Sequence, residues 1–239
     1  KGKGVALLTE KSSSPTRLRL KKAFLKANPE ATWAEYEPIS TDNGKAAASI
    51  VSGANLEPKY DLSNAERILS IAGDFLGDNP GAIGFSKQFA DGRRVRSSKD
   101  KMNRLYVVES GFSTTGAMAD HRKRLATSQM TGLLAAAALE IDLGVEGDAL
   151  KPIFQKLASG LDAGTKEWIS KSIADLAHFK GESLVYAGPQ LSKEAHGIAL
   201  LINEKLGNLG KTVSLVEIEA DESASIEDLA AAIDSGSID

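Results

Sequence analysis

The sequence contains no cysteine and only three histidines. Without cysteine, disulfide bonds, cysteine-ligated zinc, iron–sulfur clusters within these residues and a cysteine nucleophile are all excluded. His121, His178 and His196 lie far apart and not at metal-ligand spacings. No Walker-type phosphate loop, Gly-x-Ser-x-Gly elbow or His-Glu-x-x-His pair is present. We therefore predict neither a metal site nor a catalytic residue within this chain.

Aromatic residues and long apolar runs are also scarce. Aromatic residues make up 5% of the chain, so a core must consist mainly of Leu, Ile, Val and Ala. The longest uninterrupted apolar run, 133–139, is far shorter than the roughly 20 residues that span a bilayer, so we predict no membrane insertion. The formal charge is −3, and the basic run at 93–96 contains no aromatic residue, so we predict no nucleic-acid binding.

Short apolar runs alternate with longer segments of helical periodicity, in a chain that is 42% hydrophobic and 26% charged. This pattern predicts an α/β fold with Rossmann-like, mostly parallel sheets flanked by helices. Strands are predicted at 5–8, 32–36, 67–72, 105–108, 183–188 and 212–216. Helices are predicted at 15–27, 41–51 (capped by Thr41 or Asp42), 85–90, 127–143, within 148–180, 192–206 and 225–233.

The helical stretch near 145–180 is the predicted boundary between two lobes. Residues 1–145 form the first predicted Rossmann-like lobe, and residues 146–239 form a helical connection with a second, truncated α/β lobe. The chain begins Lys1-Gly2-Lys3 without methionine, and it ends after a helix and a C-terminal glycine signal at Gly236. We therefore expect an internal fragment of a larger protein.

The loops after the predicted strands are small, polar and glycine-bearing. They comprise residues 9–14, 73–77, 109–116 and 188–190. Ligands of open parallel sheets bind beyond the carboxyl ends of the strands, and helix N-termini can hold anionic groups there. The same composition also provides ordinary turns and helix caps in any βα protein.

Several runs resemble the molybdopterin-oxidoreductase-like region of one bacterial family, in order and over nearly the whole chain. That family comprises the Tat-variant-translocated molybdopterin oxidoreductases and the iron–sulfur subunit of alternative complex III. The matching runs are 8–16, 36–38, 73–77, 103–110, 115–122, 187–189, His196 and 201–211. The resemblance implies Rossmann-like lobes whose strand-end loops hold the nucleotide arms of molybdopterin guanine dinucleotide.

The sequence departs from this family where molybdenum enzymes contact the dinucleotide. Gly73-Asp74-Phe75-Leu76 replaces a Gly-x-Asn-Pro-like turn, and Glu109-Ser110-Gly111 replaces Asp-Pro-Arg. Ala126-Thr127-Ser128-Gln129 replaces Pro-Gly-Thr-Asp. Loss of the arginine removes a bidentate phosphate donor, and loss of the aspartate removes an acceptor for guanine N–H groups.

The resemblance therefore implies a degenerate cofactor scaffold within a subunit of a bacterial respiratory electron-transfer complex, without catalysis of its own. We expect no cofactor in this segment. Molybdopterin guanine dinucleotide would bind only if the family site survives, and iron–sulfur clusters are expected only elsewhere in the parent. Its partners are the remaining domains of the parent and other subunits of a membrane complex, with the parent at the periplasmic face of the cytoplasmic membrane. Two alternatives are a cofactor-binding fragment of a genuine molybdopterin guanine dinucleotide oxidoreductase and a stand-alone Rossmann-type nucleotide or anion binder.

Nine residues are the candidate cofactor contacts under this interpretation. They are Thr9, Glu10, Asp74, Glu109, Ser113, Thr114, Gln129, Gly188 and His196.

Overall fold

A computed structural model describes residues 1–12, 14–38, 42–141, 143–218 and 223–238, with only the backbone at 145–147. Within these residues the chain forms two compact units, one from residues 1–40 and 219–239 and the other from residues 41–218. Thr41, one of the two predicted helix caps, and Ser13, in the first strand-end loop, lie outside the described residues.

The first unit contains a two-stranded parallel sheet and two helices. Strands β1 (Ala6–Thr9) and β2 (Thr32–Glu35) are joined by helix α1 (Pro15–Ala27), and helix α9 (Ile226–Asp234) comes from the end of the chain. The Ser14 side chain caps α1, and Pro15 follows in the first turn. Backbone N–H groups in the first turn have no partner within the helix, so the missing N–H of proline costs no hydrogen bond there. The Lys21 ammonium and the Glu35 carboxylate form an ion pair of 3.1 Å between α1 and β2.

The second unit is built on a four-stranded parallel sheet. Its strands are β4 (Arg67–Ile71), β5 (Arg104–Glu109), β6 (His121–Arg124) and β7 (Ser183–Ala187), in the spatial order β6-β5-β4-β7. Strands β3 (Leu56–Tyr60) and β8 (Val213–Glu217) form a separate antiparallel pair. The predicted α/β class with parallel sheets flanked by helices is therefore confirmed.

Helices cover both faces of this sheet because β4, β5 and β7 are apolar on both sides. The helices of this unit are α2 (Asn43–Ser52), α3 (Ala82–Asp91), α4 (Thr114–Ala117), α5 (Met130–Leu139), α6 (Gly144–Ala158), α7 (Ala163–His178) and α8 (Lys193–Lys205). One core includes Leu69, Val108 and Val185 with residues of α5, α7 and α8. The other includes Ile68, Leu105 and Tyr186 with residues of α2 and α3.

The two compact units do not divide the chain at the boundary predicted between residues 145 and 146. Strand β7, from the second predicted lobe, pairs in parallel with β4, from the first, through all five of its residues. The periodicity of a helical stretch marks a change of local structure, but it carries no information about which strands pair across it. The division into two lobes at this boundary stays a prediction.

Two strands of this unit were not predicted. β6 consists of His121, Arg122, Lys123 and Arg124, and so has no apolar residue to signal a strand. β3 contains Pro58, which usually argues against a strand interior. β6 lies at the edge of its sheet, where charged side chains discourage pairing with other chains.

The amino end of the sheet is tied to α7 by one carboxylate. Asp175 Oδ2 accepts hydrogen bonds from Arg67 Nε at 2.7 Å, Arg104 Nη1 at 2.9 Å and the Tyr106 hydroxyl at 2.7 Å. Burial raises the pKa of the Asp175 carboxyl, but the Tyr106 hydrogen bond and the two guanidinium groups outweigh this effect and hold that pKa below its usual value.

We expect Asp175→Asn to lower the free energy of unfolding by about 1–3 kcal/mol at pH 7, because three donors lose a charged acceptor. A carboxyl with a lowered folded-state pKa stabilises the fold above its unfolded pKa of about 3.9, and this stabilisation is lost as pH falls through the folded value. Urea unfolding at pH 7, 5, 4 and 3 tests this. The difference between wild type and variant should be constant from pH 7 to 5 and shrink below pH 4, and a pH-independent difference would contradict it.

Candidate functional site

The carboxyl ends of β4, β5, β6 and β7 lie at one edge of the parallel sheet. The chain leaves β4 toward β5 on one side and returns as β7 on the other side. A reversal of this kind is the topological switch point at which open α/β sheets bind ligands. The strand-end loops at this edge are therefore the first place to look for a site.

The loops after β4 and β5 are joined through the Asp74 carboxylate. Asp74 Oδ1 accepts from the Thr115 backbone N–H at 2.8 Å and from the Thr115 hydroxyl at 2.7 Å, while the Leu76 N–H donates to that hydroxyl at 3.0 Å. Burial raises the pKa of the Asp74 carboxyl, but the hydrogen bonds from Thr115 and from the Asp78 backbone outweigh it, so the pKa lies below its usual value. The carboxylate thus serves as an internal connection between two loops.

The Glu109 carboxylate, at the end of β5, is also held by neighbouring groups. It is 6% exposed and accepts from the Ser113 hydroxyl at 2.6 Å and from Arg122 Nε at 2.5 Å. Arg122 also donates to the Gly111 carbonyl and stacks over the Phe112 ring at 4.8 Å. A Cβ atom at Gly116 would lie 1.8 Å from Glu109 Oε1, so this carboxylate requires glycine beside it.

Asp74→Ala should lower the free energy of unfolding by about 2 kcal/mol, because Thr115 and the first turn of α4 lose their acceptor. Denaturant unfolding measures this. Asp78→Ala is the matched control, since its contact with Asp74 comes from the backbone N–H, at 3.3 Å, which alanine retains. Equal losses in the two variants would contradict the assigned role of Asp74.

Gly188 lies at the switch point, against the loop after β4. Its N–H donates to the Ile71 carbonyl at 2.8 Å, and a Cβ atom at Gly188 would lie 1.9 Å from the Ala72 carbonyl oxygen. Ala72 has φ of 53°, an uncommon value for a residue other than glycine, and the Gln190 amide donates to its carbonyl. The two strand-end loops therefore approach each other too closely for a side chain between them.

A cavity of about 340 Å³ opens beside this point. Its walls come from the first turn of α2, from β3, from the segment before α3 and from the end of β7. The lining residues are Gly44, Lys45, Glu57, Pro58, Lys59, Tyr60, Asn79, Pro80, Gly81, Phe85, Tyr186, Ala187, Pro189 and His196.

His196 is the predicted contact residue that lines this cavity. Its side chain is 5% exposed, and its Nε2 has no hydrogen-bond partner among the described residues. Burial lowers the pKa of the His196 imidazole, and a hydrogen bond with the Gly188 backbone only partly offsets this, so the ring is neutral at pH 7.

The other predicted contact residues lie elsewhere. Thr9 and Glu10 belong to the first unit, where Glu10 pairs with Arg17 at 3.2 Å. Thr114 is exposed in the first turn of α4. Gln129 ends a short 3-10 helix after β6, and its amide donates to the Gly160 carbonyl at 3.4 Å. The structure thus groups Asp74, Glu109, Ser113 and Thr114 at the β4 and β5 ends, and it places His196 in the cavity.

Comparison with known proteins yields a similarity of fold. No protein-family profile and no curated protein matches the sequence. Among solved structures, acetylene hydratase from Pelobacter acetylenicus has a similar fold, with a TM-score of 0.60 and 16% identity, covering 88% of this chain and 30% of that chain. This chain therefore spans less than a third of the length of that protein, and at this identity the similarity concerns the fold alone.

Some contacts that shape the site could not be predicted from the sequence. Arg122 lies in β6, one of the two strands that were not predicted, so its pairing with Glu109 was not foreseen. Tyr60 and Asn79 reach the cavity from segments without a binding motif. Among the described residues, no cluster of three or more acidic or histidine side chains is arranged to hold a metal ion. No helix in the described part of the chain has the length and apolarity to cross a membrane.

Proposed function

We propose that this chain is an internal part of a molybdopterin-oxidoreductase-like subunit of a bacterial respiratory electron-transfer complex. In it, the chain is a scaffold derived from a cofactor-binding fold and has no catalysis of its own. The observation that carries this proposal is the pairing of the Asp74 and Glu109 carboxylates with Thr115, Ser113 and Arg122 of neighbouring segments of the chain. The fold similarity to acetylene hydratase is compatible with the molybdopterin oxidoreductase superfamily.

The residues at the strand ends do not fit the dinucleotide arm of that cofactor. A phosphate requires cations or N–H donors, whereas the charged groups at the β4 and β5 ends are the carboxylates of Asp74 and Glu109. The nearby Arg122 guanidinium already donates hydrogen bonds to the Glu109 carboxylate and to the Gly111 carbonyl. Gln129 is neutral, and its amide contacts Gly160.

The proposed partners are the remaining domains of the parent and the iron–sulfur and quinol-oxidising subunits of a membrane complex. The proposed location of the parent is the periplasmic face of the cytoplasmic membrane. Co-purification of the full-length parent from gently solubilised membranes tests both statements. Recovery of the parent with those subunits is the expected result, and its recovery alone in the cytoplasmic fraction would contradict the proposal.

Analysis of the purified full-length parent tests the absence of molybdenum chemistry. Molybdenum is measured by mass spectrometry and the pterin by fluorescence after oxidative release, with an active molybdenum enzyme from the same host as control. We expect both contents to lie far below one per chain. A stoichiometric content of both would overturn the scaffold proposal and favour a fragment of a genuine molybdopterin guanine dinucleotide oxidoreductase.

A further inference from the structure

The cavity beside Tyr186 has flat apolar walls. The rings of Tyr60 and Tyr186 meet edge to face with centroids 4.9 Å apart, and Phe85 and three prolines complete much of the lining. Its volume of about 340 Å³ lies within the range of small-molecule sites, roughly 300–1,000 Å³. Walls of this shape favour a planar ring as the occupant, because flat faces and ring edges pack closely together.

Two hydroxyl donors in the lining have no acceptor. Tyr186 accepts a hydrogen bond from the Asn79 amide at 2.8 Å, which leaves its own proton without an acceptor among the described residues. Tyr60 lines the same cavity, and its hydroxyl makes no hydrogen bond within the described residues. Burial raises the pKa of the Tyr186 phenol to about 12 and raises the pKa of Tyr60 as well, so both are protonated donors at pH 7.

The lining also contains two ammonium groups that can donate to an anionic ligand. They belong to Lys45 and Lys59, and the lining includes the Glu57 carboxylate as well. Lys59 pairs with Glu57 at 3.1 Å and Lys45 pairs with Asp42 at 3.7 Å. The Lys45 ammonium lies in the first turn of α2, where the helix dipole adds positive potential. The buried His196 Nε2 also has no hydrogen-bond partner in the described part of the chain, and such atoms are uncommon in folded proteins.

We propose that this cavity binds a planar aromatic carboxylate. The ring lies against Tyr60, Phe85 and the prolines, and the carboxylate accepts hydrogen bonds from the two tyrosine hydroxyls and the Lys45 ammonium. The lining includes the end of the connection from β4 to α3 but neither Asp74 nor Glu109. The inference therefore goes beyond the scaffold function and does not depend on the bonding of those two carboxylates.

Calorimetric titration of the chain with 2-naphthoate and with 2-naphthalenemethanol tests the proposal. The two probes share their ring but differ in charge. We expect saturable binding of the carboxylate at one site per chain and at least about tenfold weaker binding of the alcohol, because a charged acceptor strengthens each hydrogen bond. Tyr186→Phe should weaken 2-naphthoate binding about tenfold while leaving the ring in place, and Lys45→Gln should weaken it as well.

Matched controls are available outside the cavity. Tyr36→Phe changes an exposed tyrosine, and Lys87→Gln changes an exposed lysine paired with Asp91, so both should leave binding unchanged. Lys45→Gln remains informative if Tyr186→Phe is unstable, since Lys45 is only partly buried. Absence of binding at millimolar 2-naphthoate, equal affinity for the two probes, or unchanged affinity in Tyr186→Phe and Lys45→Gln would each overturn the proposal.

Discussion

Replacement of Asn203 by leucine is expected to lower the free energy of unfolding by about 3–5 kcal/mol. Asn203 lies on α8 and forms hydrogen bonds with the backbone of β7 at the edge of β7 that does not pair with β4. Its Oδ1 accepts from the Val185 N–H at 2.9 Å, and its Nδ2 donates to the Val185 carbonyl at 2.8 Å. Leucine has a similar size but leaves both backbone groups buried without partners.

A second asparagine extends this arrangement and adds to the expected loss. The Asn208 amide donates to Asn203 Oδ1 at 2.9 Å, and Asn208 Oδ1 accepts from the Ser183 hydroxyl at 3.1 Å. These groups are buried, so a single leucine leaves at least three polar groups unsatisfied.

Urea unfolding followed by circular dichroism measures the effect of Asn203→Leu. Asn55→Leu is the matched control, because Asn55 is exposed and makes one side-chain hydrogen bond, of 2.8 Å, to the Ile218 carbonyl. We expect the control to lose no more than about 1 kcal/mol. A similar loss in both variants would show that the edge of β7 does not depend on Asn203.

The second large effect is expected for Gly188→Ala, which should lower the free energy of unfolding by at least about 3 kcal/mol. The added Cβ would lie 1.9 Å from the Ala72 carbonyl oxygen and 2.4 Å from its carbon. Both are backbone atoms, and Ala72 is further fixed by its hydrogen bond to the Val108 carbonyl. The strands β4 and β7 must therefore separate at their carboxyl ends to admit a methyl group.

Gly197→Ala is the matched control for Gly188→Ala. Gly197 lies within α8, and a Cβ atom there meets nothing within 4 Å. Alanine should stabilise the helix at this position by about 0.5–1 kcal/mol, because glycine has the greater conformational freedom in the unfolded chain. Thermal and denaturant unfolding of the two variants should therefore shift in opposite directions. A neutral Gly188→Ala would contradict the close approach of the two loops.

The sequence predicted the elements in which apolar periodicity or clear caps mark the structure. Helix α1 begins and ends at the predicted residues, and β5 and β7 lie within a residue of their predicted bounds. β6 could not be predicted in this way, because a basic edge strand is held by backbone pairing with β5 and has no apolar face. Strand order also depends on contacts between distant segments, which local patterns do not encode.

The sequence predicted that these candidate residues lie at strand ends, but it did not predict their hydrogen-bond partners. Asp74, Glu109, Ser113 and Thr114 were expected at strand ends, and the structure places them there. Whether a carboxylate at a strand end meets a ligand or a neighbouring loop depends on partners such as Thr115 and Arg122, which approach only in the folded chain. The run that includes Asn203 and Asn208, noted for its resemblance to a family, stabilises the edge of β7.

Nucleotide binding by this chain tests the scaffold account most directly. Thermal unfolding is followed by scanning fluorimetry with GDP, GTP and guanosine, for wild type and for Gln129→Asp, which introduces the carboxylate that the proposed family resemblance implies at this position. The account predicts no shift of the unfolding temperature in wild type, and a shift confined to Gln129→Asp would identify the residue that silenced the site. A saturable, guanine-dependent rise of the wild-type unfolding temperature would contradict the account and indicate a surviving dinucleotide site.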